Sequence, residues 1–331
     1  LKILFFFDGY AMSIVLTDVT LREYGQNVPE GFLHLFNAQR RLELTRLLLE
    51  TGFRRLEVLS CVSPAVAPAM NKQDVSNIAN SLGSPDGVTF VTLVPNEAGY
   101  RNFLSLGLGP DGWNHCMGLF FSAVEAHNLA NLGKTIDESM QSYDRILMDA
   151  ARKGIRVAGY VSAAFGFQMR QKSQITEPSI TELNNYINFF FERGSEVVTI
   201  SDLQGVADAQ KTAGVIEGVL EGRKGADMDR IGYHPHHIIP EKAVANSLAA
   251  LKLGIGRFDS SLGGSGGCVT GAPGNQPTEL LMEELEKMGI NTGIDLKKIK
   301  ALVRKVTEGL YMKIPTPGGK VAIPAYVFRA G

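Results

Sequence analysis

Two histidines one residue apart close the stretch ADMDRIGYHPHH at residues 226–237. In an extended strand, side chains two positions apart point the same way and sit roughly 7 Å from each other. His234 and His236 can therefore reach one point together, as two ligands of a single metal ion must. H-x-H alone is a weak motif, and a pair of core or surface histidines making ordinary hydrogen bonds is the competing reading. His237 extends the run but faces away from the other two, which suits a supporting or structural role.

The remaining groups able to share that chemistry lie near the ends of other apolar runs. Glu23 is the best-placed carboxylate ligand, Asp18 in the same run is the second choice, and Asn275 offers an amide oxygen, although asparagines are common in turns. Two imidazoles, a carboxylate and an amide oxygen form an N/O set with room for water and substrate. It suits Mg or Mn, with Zn as an alternative, and is not a thiolate zinc site. Arg22 reads either as one half of a rim salt bridge or as a fixed cation for an oxygen that becomes negative during reaction. Glu57 either orients Arg22 or is a structural partner. Asp202 suits a ligand, a base or an orienter of imidazole. Cys268 sits among glycines 263, 264, 266, 267, 271 and 274, where a thiol on a pliant loop can deliver a proton, or can be inert.

Positioning these groups requires a repeating scaffold. Strands are expected near 13–20, 55–60, 88–94, 116–122, 155–162, 196–202, 228–234 and 255–261. Helices are expected near 37–51, 70–82, 96–105, 139–153, 179–193, 206–222, 240–253 and 277–288. Glycines at 52, 154, 194, 254 and 289 follow helix ends, where a left-handed residue costs least. Eight such units predict an α/β fold, a closed (β/α)8 TIM barrel over 13–290. An N-terminal extension at 1–12 precedes it, and a short C-terminal helix with an extended tail at 291–331 follows. The rival, an open doubly wound sheet, lacks a G-x-G-x-x-G turn after its first strand. The tail reads as an ordered wrap or dimer arm, or as a cationic flap. In a barrel the carboxyl ends of the strands build the active site, and there the sequence puts Arg22, Glu23, Glu57, Asp202, His234, His236, Cys268 and Asn275.

Composition limits the partners. With 331 residues, 44% of them apolar, the chain can bury a substantial core. A net charge of -1, from 33 basic and 34 acidic residues, excludes a nucleic-acid binder that relies on a broad cationic face. Three scattered cysteines, Cys61, Cys116 and Cys268, make no disulfide framework and imply a reducing, cytoplasmic setting. No apolar run reaches 18 residues, so no membrane span is expected. The opening LKILFFFDGYA lacks the ending of a signal peptide, and Met12 is the expected natural start.

Four motifs, TLREYGQN, EVLSCVSPAVAPAM, GYHPHH and FDSSLGGSGGCVTGAPGNQPTELL, resemble the pyruvate-carboxyltransferase-like metallolyase superfamily and, within it, the 3-hydroxy-3-methylglutaryl-CoA lyases. The resemblance spans roughly residues 13 to 295. It implies a (β/α)8 barrel, commonly a homodimer, that uses a divalent cation to cut a tertiary-alcohol thioester into acetyl-CoA and a 3-oxo acid. By motif, Arg22 would polarise the thioester carbonyl, and Glu23, His234, His236 and Asn275 would hold the metal. Cys268 would help move a proton, Asp202 would be the carboxylate at the sixth strand end, and Gln26 and Glu57 would be polar residues around the site. The implied chemistry has Asp202, or a hydroxide on the metal, taking the hydroxyl proton, Arg22 stabilising the enolate and Cys268 protonating carbon. Departures touch both shells: R-D-G-x-Q becomes R-E-Y-G-Q, H-x-H-D-T-x-G becomes HPHHIIP, and Leu203 replaces a threonine. The alternatives are a 4-hydroxy-2-oxo acid aldolase, a synthase condensing acetyl-CoA with a 2-oxo acid, and an inactive barrel serving as a binding protein.

Overall fold

The computed structural model describes residues 5–7, 10–28, 30–169, 174–223, 225–267 and 273–311. Cys268 lies outside the described residues. A short antiparallel hairpin, β1 (Phe5–Phe7) and β2 (Tyr10–Met12), comes first, within the stretch expected only as an N-terminal extension. Eight parallel strands then close a barrel: β3 (Val15–Asp18), β4 (Arg55–Ser60), β5 (Thr89–Leu93), β6 (Cys116–Ser122), β7 (Val157–Ser162), β8 (Val197–Asp202), β9 (Ile231–Pro235) and β10 (Arg257–Ser260). Each pairs with its neighbour in chain order, and β10 returns to β3. The expected eight-unit barrel is present.

Every residue of β4, β8 and β9 is buried, the apolar ones alternating with polar side chains such as Glu57 and Asp202 that find partners inside. The helices outside them are punctuated locally. Thr135 with Glu138, and Ser179 with Glu182, make reciprocal capping boxes, so the fourth expected helix starts at Ile136, three residues earlier than its apolar period indicated. Gly52, at φ +112°, ends the helix Ala38–Thr51, and a side chain there would meet the Gly293 carbonyl at 2.3 Å. The core fills the space between barrel and helices; Phe121 of β6, for example, stacks on Phe190 at 5.3 Å. Among the described residues no helix is long and apolar enough to cross a membrane.

The first strand differs from expectation in a way that matters for the site. It stops at Asp18, whose carboxylate accepts the Thr20 amide (3.1 Å) and hydroxyl (2.8 Å) and so begins a helix, Thr20–Gly25. Arg22 and Glu23 therefore ride on a helical turn. Burial pushes the Asp18 carboxyl up to about 7. A carboxyl raised in the folded state binds its proton more tightly there than in the unfolded chain, so its stabilising contribution is complete below pH 4 and is lost as pH rises to about 7. Asp18→Asn is expected to gain stability relative to the parent across that window, by at most about 4 kcal/mol. Thermal melts at pH 4 and pH 8 check this, and a constant difference between parent and variant would refute it.

Candidate metal centre

The histidine pair is held by backbone on two sides. β8 and β9 set Ser201 opposite His234, the His236 amide donates to the Asp202 carbonyl at 3.1 Å, and His236 forms an isolated bridge with Asn275. Each imidazole is then fixed through Nδ1. His234 Nδ1 lies 2.9 Å from Asp259 Oδ2, and His236 Nδ1 lies 2.9 Å from the Pro273 carbonyl oxygen. Both partners are acceptors, so Nδ1 carries the hydrogen in each neutral ring and Nε2 presents a lone pair. The two Nε2 atoms face each other at 2.8 Å.

Burial alone would lower His234, but Asp259 outweighs it and raises the ring above its usual value, so without an ion His234 Nε2 can donate its hydrogen to His236 Nε2. Nitrogens bound at right angles to one ion at ~2.1 Å stand about 3 Å apart, so the pair is set as metal ligands would be. Glu23 joins them, the ligand atoms of Glu23, His234 and His236 all lying within 4.8 Å of one another in a buried cluster. Burial and the charge of His234 push His236 down to about 4, which leaves its ring neutral. Burial alone would raise the Glu23 carboxyl, but the Arg22 guanidinium and both imidazoles outweigh it and hold the group below its usual value. These residues fit a divalent ion. Asp259→Ala removes the acceptor that fixes the His234 tautomer and is expected to weaken divalent-metal affinity ~10–100-fold. Calorimetry with Mn2+ checks that, and unchanged affinity would refute it.

Arg22 is clamped behind the cluster. Its Nε and Nη2 reach Glu57 Oε2 at 2.7 and 2.6 Å, and its Nη1 pairs with Glu23 Oε1. Glu57 is fully buried; burial raises its carboxyl against the opposing pull of Arg22. The loop toward Cys268 is anchored here as well. Gly267 N–H donates to Glu23 Oε2 at 3.2 Å, and Asn27 Nδ2 donates to the Gly267 carbonyl at 2.8 Å. Gly266, at φ +90°, passes between Glu23 and Asn275; a Cβ there would stand 2.4 Å from Glu23 Cβ and 2.8 Å from Asn275 Nδ2. Asn275 Nδ2 donates to the Ser265 carbonyl (2.8 Å), so the amide is oriented beside the cluster.

A cavity of about 290 Å3 opens over Arg22, Glu23, Gln26, His234 and His236. The Gln26 Nε2 there is buried without a partner among the described residues. Two expected carboxylates lie elsewhere. Asp202 does not line the cavity, although its neighbours Ser201 and Leu203 do, as alternation along a strand requires. Its oxygens accept the Val206 and Ala207 amides at 3.0 and 2.9 Å, and burial pushes the carboxyl up to about 6. Among the described residues its side chain touches no imidazole; it holds the turn that follows β8, which matches none of its three readings. Asp18, the second-choice ligand, spends both oxygens on Thr20. His237 accepts the Ile239 amide at 2.8 Å, a turn-forming role.

Sequence reasoning missed three residues of the site. Asp259 stood in plain view in the FDSS motif, at the inward position of β10, without being given a role. Tyr160 and His127 line the far wall of the cavity. His127 is buried, and neither of its ring nitrogens has a partner among the described residues. No motif marks it.

The fold and this donor set define a (β/α)8 barrel with a potential divalent-metal-binding cluster at the carboxyl ends of its strands. Residues 13–306 match the HMGL-like family model, and the chain belongs to that family. It is 28% identical over 309 residues to a hydroxymethylglutaryl-CoA lyase of Bacillus subtilis, covering 93% of this chain and 96% of the relative. It is 31% identical over 261 residues to the cytoplasmic 3-hydroxy-3-methylglutaryl-CoA lyase of Mus musculus, covering 78% of this chain and 71% of the relative. A solved HMG-CoA lyase from Acinetobacter baumannii, in complex with coenzyme A and 3-methylmalate, superposes with a TM-score of 0.76 at 26% identity, covering 92% of this chain and 93% of that one.

Proposed function

We propose that the protein is a divalent-metal-dependent carbon–carbon lyase that cleaves a 3-hydroxyacyl-CoA resembling 3-hydroxy-3-methylglutaryl-CoA into acetyl-CoA and a 3-oxo acid. The observation that carries the reading is the convergence of Glu23, His234 and His236 in a cavity over which Arg22 is clamped. Those three residues, with the Asn275 amide oxygen, would hold Mg or Mn, with Zn as the alternative. When bound, the ion would lower the pKa of the substrate's tertiary hydroxyl and fix its orientation.

The protein's own groups then divide the work. Arg22, held from behind by Glu57, donates to the thioester carbonyl oxygen and stabilises it as cleavage makes it negative. Glu23 is the one carboxylate lining the cavity among the described residues, but as a ligand whose carboxyl is held below its usual value it is a weak base and leaves the hydroxyl proton to another acceptor. Asp202 ties residues 205–207 beneath the histidine pair. Cys268 follows Gly267, whose amide touches Glu23, and is assigned the return of a proton to the α-carbon of the departing acetyl group. Gln26 is assigned a hydrogen bond to the substrate. Phe120, Leu203 and His127 form the wall that meets the acyl chain. The coenzyme A in the Acinetobacter relative supports the thioester assignment. A reducing compartment, the cytoplasm, suits the buried unpaired thiols of Cys61 and Cys116.

The test is a screen of short branched 3-hydroxyacyl-CoAs and 4-hydroxy-2-oxo acids with Mg2+ or Mn2+, with products read by mass spectrometry. Acetyl-CoA with a matching 3-oxo acid is expected from the first group. Cleavage of the second group alone, or of neither by metal-loaded protein, would contradict the reading.

A further inference from the structure

A second cavity, about 410 Å3, lies at the opposite end of the barrel, among the residues where β3, β4, β5, β8 and β10 begin. That volume falls within the ~300–1,000 Å3 of small-molecule sites. Four guanidinium groups line it, those of Arg54, Arg55, Arg156 and Arg257, against one carboxylate, Glu196. Glu196 already serves two of them. Its Oε1 accepts from Arg55 Nη1 and its Oε2 from Arg156 Nε, each at 3.1 Å. Arg257 gives its Nε to the Asp229 carbonyl and makes no ion pair among the described residues. Arg54, at the exposed mouth, donates to the carbonyls of Leu49 and Phe53.

The lining therefore keeps three positive charges uncompensated, and Arg55 is buried to 9% exposure. Two further acids, Asp229 and Asp259, act on Arg257 without forming an ion pair with it among the described residues. Asp259 is engaged by His234 on the far side of the barrel interior, and Asp229 is exposed. Burial, then the like charge of Arg55, push the Arg257 guanidinium down. Guanidinium groups forced together in this way need an anion, and their planar fork matches phosphate oxygens in pairs. The metal-centred chemistry makes no use of this end of the barrel.

We propose that the cavity is a binding site for a small phosphate-bearing anion, with Arg156 and Arg257 as principal donors and Arg55 as the buried charge beneath them. The volume has room for more than one phosphate group, so pyrophosphate should bind more tightly than inorganic phosphate. Both probes are titrated by calorimetry at constant ionic strength into the full chain, and into its Arg156→Gln, Arg257→Gln and Arg22→Gln variants. One saturable site is expected in the parent, at least ~10-fold weaker in the first two variants and unchanged in the third. Arg156 is partly exposed, so its variant keeps the test valid if Arg257→Gln fails to fold. Absence of saturable binding in the parent overturns the proposal. So does binding that survives both lower-cavity substitutions but is lost in Arg22→Gln, because the anion would then occupy the metal-centred cavity.

Discussion

Exchange of Arg22 for Met is expected to lower kcat by about 10²–10³-fold, or about 3–4 kcal/mol, with a much smaller change in KM. The guanidinium is fixed before substrate arrives, by Glu57 on Nε and Nη2 and by Glu23 on Nη1, so it needs no reorganisation as charge develops. The substitution also strands Glu57, which is fully buried. Breaking such a pair from one side costs about 3–5 kcal/mol of stability. The single variant should therefore melt earlier as well as turn over more slowly. Adding Glu57→Gln separates the two effects: the double variant should recover much of the melting temperature and none of the kcat. Recovery of both would reduce Arg22 to a structural partner of Glu57.

His236→Ala should have an effect of comparable size, by a different route. It deletes one of the two facing Nε2 atoms and should weaken Mn2+ binding by more than the ~10–100-fold expected for loss of an outer partner. Turnover should fall to that of metal-stripped parent protein. The melting behaviour is diagnostic. Without metal, the variant loses only the 2.8 Å contact between the two rings, so the metal-free proteins should differ in melting far less than the metal-loaded ones. With Mn2+ at a hundred times its dissociation constant the parent gains about 2.7 kcal/mol, and the variant should gain almost none. A variant stabilised by Mn2+ as strongly as the parent would remove His236 from the ligand set.

The parts of this architecture that a reader of the sequence can recover are those governed by period. Apolar spacing and helix-ending glycines locate the barrel units, and a period of two brings His234 and His236 together. Side-chain capture is harder to read. Asp18 looks like a metal ligand beside Glu23, yet it folds back on Thr20 and creates the very turn that carries Arg22 and Glu23. Asp202 is one residue out of register with the cavity-lining Ser201 and Leu203, a difference that depends on where the strand enters the barrel. The hairpin β1–β2 has a legible signal in the Asp-Gly pair at 8–9 between two apolar triplets. His127 could not have been found, because its environment is assembled from segments distant in the chain, including Phe167, whose ring centre lies 4.2 Å away.

Metal-free protein titrated with Mn2+, with bound ion per chain and acetyl-CoA released from 3-hydroxy-3-methylglutaryl-CoA recorded on the same samples, probes the tie between the Glu23–His234–His236 cluster and bond cleavage most directly. One ion per chain is expected, with product forming in proportion to occupancy. Full-rate cleavage by protein that holds no divalent ion, or one tightly held ion per chain with no cleavage, would contradict it.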